Sequence, residues 1–194
     1  MATIDFYFDF RSPYSYLALT QLRQLDVAVS YHPFDIRELM EKVGNVPTSI
    51  VCKPKNSYLS QDLARWVNHY DVPFNRHPSF DQIDFRRLMR AILVPNLYGL
   101  QGTGVSNLFN AVWGSPQPLS TPQEVAQVMY PKDVDLDALQ SQLDDPAWNK
   151  ALDKSTADAV EKGVFGAPTM FVGAAMFFGN DRMTFVQSEL ENKK

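Results

Sequence analysis

Cysteine is nearly absent from this sequence, which contains only Cys52 among its 194 residues. A single cysteine cannot form an intrachain disulfide, and it excludes a cysteine-rich zinc site. The three histidines, His32, His69 and His77, show no metal-ligand spacing with one another or with the cysteine. We therefore predict neither an intrachain disulfide nor a metal site.

Basic charge is also scarce, because 18 Lys and Arg residues face 22 Asp and Glu residues and leave a net charge of −4. This balance argues against nucleic acid or an anionic membrane as a partner. The uncharged stretch 164–180 contains Pro168 and three glycines, and it is shorter than the ~20 apolar residues of a membrane-spanning helix. The first ten residues carry acids where an export signal carries basic residues. We expect a cytoplasmic protein, or an organellar one if a targeting segment was removed.

The composition is otherwise ordinary for a globular protein, with 45% hydrophobic and 21% charged residues. A length of 194 residues predicts one domain, or one domain that carries a large insertion. A chain of this size can bury a core without disulfides or metals.

The N-terminal residues predict a β-strand, an α-helix and a second β-strand. Apolar residues alternate with polar ones along 4–10, which is the pattern of a strand. Ser12 is a favourable N-cap and Pro13 a favourable first residue for the helix that follows. Alternation returns along 27–34. Together these elements form a βαβ unit, which implies that the two strands pair in parallel.

The middle of the chain predicts helices and no strand. Residues 36–60 contain scattered Gly and Pro and favour a loop with one short helix. Gly99, Gly102 and Gly104 indicate a flexible loop. Helical patterns occur within 63–70, 85–92 and 105–113, after the capping box at 121–124, and within 135–143 and 145–163.

The C-terminal residues predict a hairpin followed by a helix. Strand patterns at 169–172 and 175–178 flank a Gly-Ala pair that is typical of a hairpin turn. The last helix is predicted to bury Phe185, Val186 and Leu190.

The order βαβ, helical block, ββα is that of an α/β, thioredoxin-like fold. We assign residues 1–36 and 163–194 to one discontinuous domain and residues 37–162 to an all-helical insertion. The active site of this fold is the turn after the first strand, where redox proteins have two cysteines. Ser12 and Ser15 occupy these positions, so dithiol chemistry is excluded. A hydroxyl at a helix N-terminus can favour an external thiolate, whereas residue type alone favours a simple N-cap.

Four segments of the sequence resemble one enzyme family. They are FYFDFRSPYSYLA and GVFGAPTMFVGAAMFFGNDRM near the two ends, and KNSYLSQDLARW and FNAVWG between them. Together they resemble the 2-hydroxychromene-2-carboxylate isomerases and the related kappa-class glutathione transferases. The resemblance implies a DsbA-like thioredoxin fold with a helical insertion, glutathione as the cofactor, and a homodimer.

The resemblance also implies a glutathione site. Ser12 matches the serine that contacts the glutathione sulfur. Ala167 and Pro168 match a loop whose proline is cis and whose backbone pairs with the cysteinyl part of glutathione. The γ-glutamyl end is implied to bind the segment Phe178, Gly179, Asn180 and Asp181. The simpler alternatives are a trans proline that ends a strand and an aspartate that only caps the last helix.

The resemblance implicates a further loop in binding the substrate. Asn45, Lys53 and Lys55 match family residues near the ligand, although an asparagine is equally typical of a turn and exposed lysines are usually only solvated. Ser49 and Ile50 stand where the isomerases have an Asn-Arg pair. The arginine that would approach an aromatic carboxylate is therefore missing.

The activity implied by the resemblance is a glutathione-dependent isomerisation of aromatic catabolites like 2-hydroxychromene-2-carboxylate, through transient thiolate addition. One alternative is a kappa-class-like glutathione transferase or peroxidase that acts on an electrophilic substrate. Another is a non-catalytic binding protein with a thioredoxin fold. Retention on immobilised glutathione separates the two enzymes from the binding protein.

Overall fold

The structure, a computed structural model, describes residues 3–47, 51–94, 101–130, 143 and 145–193. Ser49 and Ile50 lie outside these ranges, and so does the helix predicted at 135–143 apart from Leu143. Across the described residues, no helix combines the length and the apolar character that a bilayer crossing requires. In the same ranges, no three His, Cys, Asp or Glu side chains are grouped to hold a metal ion.

Four strands form one mixed sheet. β1 is Thr3–Phe8, β2 is Ala28–Pro33, β3 is Thr169–Val172 and β4 is Ala175–Phe178, and they lie in the order β2-β1-β3-β4. β1 pairs in parallel with β2 and antiparallel with β3, and β3 pairs antiparallel with β4. In this register, Phe6 lies opposite Tyr31 on one side and Met170 on the other. The predicted βαβ unit and C-terminal hairpin are confirmed.

Eight α-helices accompany the sheet within the described ranges. They are α1 (Pro13–Leu22), α2 (Ile36–Lys42), α3 (Lys53–Tyr70), α4 (Phe85–Leu93), α5 (Gln101–Phe109), α6 (Pro122–Met129), α7 (Ala147–Glu161) and α8 (Met183–Glu191). Two 3-10 turns cover Phe80–Gln82 and Asn180–Arg182, and a π-helical turn, Asn110–Gly114, continues α5. Helices α2 to α7 lie in the chain between β2 and β3, as the predicted helical insertion requires. Its boundaries at residues 37 and 162 stay a prediction.

Both faces of the sheet are covered, as in other α/β proteins. Ile4, Phe6 and Phe8 are fully buried in the main core, which includes residues of α1, α4, α5, α6 and α8. On the opposite face, Tyr7 and Phe171 pack in a smaller cluster with residues of α2 and of the end of α7. The turn between β1 and α1 lies at the carboxyl end of the inner strand β1, where residues from distant parts of the chain contact it.

The prediction of a loop over residues 53–60 is wrong, because α3 begins at Lys53. Pro54 lies in the first turn of this helix. A proline is tolerated there, since the first N–H groups of a helix have no intrahelical partner. The residue that favoured a loop in the sequence is therefore part of a helix start.

The prediction that Phe185 is buried is also wrong, since 59% of this residue is exposed. Val186 and Leu190 are buried as predicted, together with Met183. These three residues lie three and four positions apart and form the inner stripe of α8. Phe185 lies outside that stripe.

Two glycines that indicated a loop, Gly102 and Gly104, lie inside α5. A Cβ on Gly102 would approach the Tyr31 hydroxyl to 3.0 Å, and one on Gly104 would approach the Tyr130 hydroxyl to 3.0 Å. These glycines allow close packing of aromatic side chains on the helix, and the loop prediction for them is wrong.

Candidate functional site

The turn from β1 into α1 places Ser12 at the start of the helix. Ser12 has an extended backbone, and its Oγ accepts a hydrogen bond from the Ser15 N–H at 3.1 Å. Pro13 occupies the first turn, which contains no acidic residue. The N-cap interpretation of Ser12 is therefore confirmed. The same geometry leaves the positive end of the helix dipole beside the hydroxyl, where it favours an anion.

The loop before β3 meets Ser12 from the other end of the chain. The Ala167–Pro168 peptide bond is cis, as the resemblance implies, so the alternative of a trans proline is wrong. The Ser12 hydroxyl donates a hydrogen bond to the Ala167 carbonyl at 3.2 Å, and 9% of Ser12 is exposed. The structure therefore brings together two predicted site residues that are 155 positions apart.

The segment after β4 is bound to the same loop. The Gly179 N–H donates to the Pro168 carbonyl at 3.0 Å. Gly179 has a φ of 103°, which residues with a side chain rarely adopt. Asn180 is 3% exposed, and its carbonyl accepts a hydrogen bond from the Tyr70 hydroxyl at 2.9 Å. Its side-chain Nδ2 has no hydrogen-bond partner among the described residues, so this buried donor is available to a ligand.

Asp181 is partly exposed at the rim of this segment. Its carboxylate pairs with Arg182, and within the described ranges no side chain caps the 3-10 turn or α8. The simpler interpretation of Asp181 as a helix N-cap is therefore wrong. A carboxylate with an exposed fraction of 40% can still meet a ligand cation.

Sequence reasoning missed three residues beside this site: Tyr14, Asp62 and Tyr70. The Tyr14 hydroxyl donates to Asp62 at 2.7 Å. Burial raises the pKa of Tyr14, and the hydrogen bond to Asp62 and the charge of Asp181 raise it further. Burial likewise raises the pKa of Tyr70, and the charge of Asp181 adds to this effect. Tyr14 therefore experiences two carboxylates, one from α3 and one from the C-terminal segment. Its place between Ser12 and Ser15 was the one available signal.

An exposed aromatic pair borders the cis-proline loop. The rings of Phe165 and Phe178 lie 4.6 Å apart, with 37% and 42% of these residues exposed. The Phe178 ring lies against Gly166, where a Cβ would approach it to 2.7 Å. Asn45 donates from Nδ2 to the Phe165 carbonyl at 2.8 Å. Asn45 thus contacts the loop of the candidate site, on the side of Phe165.

The lysines predicted to bind the substrate lie some distance along α3 from Asp62, which contacts Tyr14. Lys53 and Lys55 are exposed in the first turn of α3. Seven residues separate Lys55 from Asp62, about 10 Å along the helix axis. A separate groove of about 390 Å³ lies between α1 and α5, and none of the predicted site residues that the structure describes lines it.

The site has no thiol of its own, because both turn positions are serines and the single cysteine, Cys52, precedes α3. Ser12 has one hydroxyl proton to donate, and in the free protein this proton points to the Ala167 carbonyl. An external anion at the start of α1 can take over that donor. The arrangement is therefore suited to hold a thiolate supplied by another molecule.

Comparison with known proteins agrees with this geometry. A family described as the DSBA-like thioredoxin domain matches residues 3–191. The 2-hydroxychromene-2-carboxylate isomerase of Sphingobium xenophagum is 35% identical over 193 residues, covering 97% of each chain. This chain belongs to the family of 2-hydroxychromene-2-carboxylate isomerases. It has their DsbA-like thioredoxin fold, since a solved isomerase superposes with a TM-score of 0.85 at 32% identity, covering 98% of this chain and 95% of that one.

More distant members of the same fold are also similar to this isomerase-family chain. Glutathione S-transferase kappa 1 of Caenorhabditis elegans is 27% identical over 207 residues, covering 97% of this chain and 90% of the relative. The cytosolic disulfide reductase DsbM of Pseudomonas aeruginosa, solved with GSH, has a TM-score of 0.64 at 14% identity, with coverages of 97% and 99%. The second likeness concerns the fold alone.

Proposed function

We propose that this protein is a glutathione-dependent isomerase of aromatic compounds like 2-hydroxychromene-2-carboxylate. The observation that carries this proposal is the contact between the Ser12 hydroxyl and the Ala167 carbonyl, at a helix start that offers no protein thiol. The isomerase relatives support the reaction class, and the kappa-class relatives support glutathione as the cofactor.

Ser12 and Ala167 fit the central part of glutathione. When the Ser12 hydroxyl turns to a bound sulfur, the Ala167 carbonyl loses its donor and becomes free to accept the cysteinyl N–H. One neutral hydrogen bond is thereby exchanged for another, and the Ser12 hydroxyl gains a charged acceptor. Because hydrogen bonds to charged groups are stronger than neutral ones, this exchange favours the thiolate.

The C-terminal segment fits the γ-glutamyl end. The buried Asn180 Nδ2 has no partner among the described residues, and a carboxylate oxygen of the ligand would satisfy it. Asp181 and Asp62 both act on Tyr14, so an ammonium group near that ring meets negative charge from two sides. These groups together suit an amino acid end with both charges.

Glutathione, when bound, supplies a thiolate that adds transiently to the conjugated ring and leaves again after the ring has opened and a single bond of the opened compound has rotated. Ser12 holds the negative charge at the sulfur by donating its hydroxyl proton, and it does not act as a nucleophile. The N–H groups of the first turn of α1 add to this stabilisation. No proton has to leave Ser12 in this role.

Substrate binding falls to the exposed rim of the site. The rings of Phe165 and Phe178 offer an aromatic surface beside the cis-proline loop. Lys53 and Lys55 supply positive charge for a substrate carboxylate. They would compensate for the arginine that is absent where Ser49 and Ile50 stand.

A second candidate function is conjugation or peroxide reduction, as in a kappa-class-like glutathione transferase. The missing arginine at positions 49–50 favours it, because an electrophile without a carboxylate needs no such partner. The glutathione site would be the same in both functions. A non-catalytic thioredoxin-fold binding protein would act on neither kind of substrate.

We place either enzyme in the cytoplasm as a homodimer. Light scattering would test the dimer, which should have twice the mass of the chain.

The decisive experiment follows isomerisation of 2-hydroxychromene-2-carboxylate by its change in ultraviolet absorbance. We expect turnover with glutathione and none with S-methylglutathione, which occupies the site but lacks the thiol. Conjugation of a chlorodinitrobenzene without isomerisation would favour the transferase. Neither activity, together with no retention on immobilised glutathione, would overturn both enzyme proposals in favour of a binding protein.

A further inference from the structure

A fully buried carboxylate, that of Asp9, lies directly behind the turn that presents Ser12. It accepts three hydrogen bonds, two from Arg11 and one from the backbone of Ile36. We propose that Asp9 is a positioning residue whose carboxylate fixes the turn between β1 and α1 and thereby aims the Ser12 hydroxyl. The consequence for catalysis rests on the proposed function, whereas the effect on the turn does not.

Hydrogen bonds hold most residues of the turn between β1 and α1. The Arg11 N–H donates to Asp9 Oδ1 at 2.8 Å, and Arg11 Nη1 donates to Oδ2 at 2.7 Å. The Ser12 N–H donates to the Asp9 carbonyl at 3.0 Å. The Trp113 indole donates to the Phe10 carbonyl at 2.8 Å. The Asp9 side chain is thus the acceptor that folds the backbone back just before Ser12.

The same carboxylate also connects the turn to α2. The Ile36 N–H, at the first position of α2, donates to Asp9 Oδ2 at 2.9 Å. Just beyond the other end of α2, Asn45 donates to the Phe165 carbonyl in the loop before the cis-proline. Asp9 therefore links the segment that carries Ser12 to α2, and Asn45, just after α2, contacts the loop that carries Ala167. One carboxylate thus connects the Ser12 turn, through α2 and Asn45, to the loop of its partner Ala167.

The ion pair between Asp9 and Arg11 is a poor candidate for a purely stabilising interaction. Burial raises the pKa of Asp9 although the Arg11 charge and the hydrogen bonds lower it, so removal from water outweighs the pairing. Buried ion pairs are in general weak evidence for stability. The Arg11 guanidinium lies 3.5 Å from Asp35, which pairs with Arg86 at 3.0 Å. We therefore attribute to the pair of Asp9 and Arg11 the fixed geometry of the turn, and not a gain in stability.

A second aspartate, Asp5, lies four residues before Asp9 and within β1. The structure assigns them to different networks. Asp5 pairs with Lys162 at 2.8 Å and lies 3.4 Å from His32. Asp5 is therefore a matched control for Asp9, because it is an ion-paired aspartate four residues earlier, within β1 and away from Ser12.

The experiment places a thiol at the position of Ser12 and uses it as a reporter that needs no glutathione. The starting protein carries Ser12→Cys together with Cys52→Ser, which removes the other thiol. The pKa of the introduced thiol is measured from its alkylation rate against pH. It reports the hydrogen bond from the Ser15 N–H, because that bond favours the thiolate.

Asp9→Asn distinguishes a change in the geometry of the turn from a change in charge, because the two would shift the thiol pKa in opposite directions. The asparagine amide presents a donor to two other donors, Ile36 N–H and Arg11 Nη1, so the turn is released and the thiolate loses its hydrogen bond. We expect the thiol pKa to rise by about 1. Loss of the Asp9 charge alone would lower this pKa, since Arg11 would then face only the more distant Asp35 among its described carboxylate partners and would favour the thiolate more strongly. Asp5→Asn should leave it unchanged.

Ile36→Pro is a second variant that changes no charge. It removes the N–H that α2 donates to Asp9, at a helix position where proline is favoured, and it replaces an apolar side chain at the smaller core cluster with another apolar one. Asp35 before it is already extended, with φ −79° and ψ 108°, as a residue before proline should be. We expect a smaller rise in the same pKa. A lowered or unchanged pKa in folded Asp9→Asn overturns the proposal, and if that variant does not fold, an unchanged pKa in Ile36→Pro overturns it.

Discussion

Replacing Ser12 with alanine tests the proposed role of its hydroxyl most directly. In the free protein this hydroxyl accepts from the Ser15 N–H and donates to the Ala167 carbonyl. Donation to a bound thiolate exchanges a neutral acceptor for a charged one. Ser12→Ala removes that gain, whereas the N–H groups and the dipole of α1 remain.

The size of the effect follows from these bonds. A neutral hydrogen bond contributes about 0.5–1.5 kcal/mol and one to a charged group about 1.5–3 kcal/mol. The difference of roughly 1 kcal/mol corresponds to a rise of about 0.7 in the pKa of the bound thiol. The helix dipole contributes about 0.3–1 kcal/mol and stays in place. The pKa in the variant should therefore remain below the value of about 8.5 for a free thiol.

The assay is the ultraviolet absorbance of the bound thiolate, titrated against pH in the wild type and in Ser12→Ala. The variant should also lose about 1 kcal/mol of unfolding free energy, because α1 loses its N-cap. Thr121→Ala is the matched control, since it removes the N-cap of α6 and should lower stability without moving the thiol pKa. If wild type and Ser12→Ala titrate at the same pH, Ser12 is only a helix cap and the reasoning is refuted.

Three further changes test other parts of the site and the fold. Asp181→Asn should weaken glutathione binding about tenfold, because the ligand ammonium loses a charged partner that contributes about 1.5 kcal/mol. The control is Asp158→Asn, which changes an exposed carboxylate that is ion-paired on α7, and calorimetry should find no loss of glutathione affinity in it. Unchanged affinity in Asp181→Asn would remove Asp181 from the site. Gly166→Ala should lower the unfolding free energy by about 1–2 kcal/mol, since its Cβ would lie 2.7 Å from the Phe178 ring; an unchanged denaturation midpoint would contradict this contact. Burial lowers the pKa of His32, so the folded state favours the neutral ring more than the unfolded state does. The unfolding free energy that this difference contributes is present above about pH 6.5 and should be lost as the pH falls. His32→Asn should show a shallower decline in thermal stability than the wild type, and parallel curves would exclude His32 as the source.

The parts of the fold that were predicted correctly depend on local signals. Alternation along β1, the Ser12-Pro13 start of α1 and the capping box at Thr121 each involve residues a few positions apart. Such patterns constrain the backbone wherever they occur. The start of α3 was mispredicted because Pro54 is compatible with a loop and with the first turn of a helix. The packing of the whole chain chooses between the two.

The burial of single side chains is a tertiary property even within a correctly predicted helix. Phe185 and Val186 are neighbours in α8, yet the first is exposed and the second is buried. Periodicity locates an apolar stripe but leaves its edges open. The contact with the rest of the protein decides which residue at the edge is covered. Gly102 and Gly104 show the same dependence, because aromatic rings from distant segments explain their place in α5.

The absence of a protein thiol at the first turn and the helix start at Ser12 both follow from residue identity and immediate neighbours. The groups that meet that serine depend on the tertiary structure. Ala167 lies 155 positions away in the chain, Asp62 reaches Tyr14 from α3, and the Asp9 carboxylate joins the turn to α2. These contacts depend on the register of the sheet and on how the helices pack around it, and local sequence patterns do not encode either.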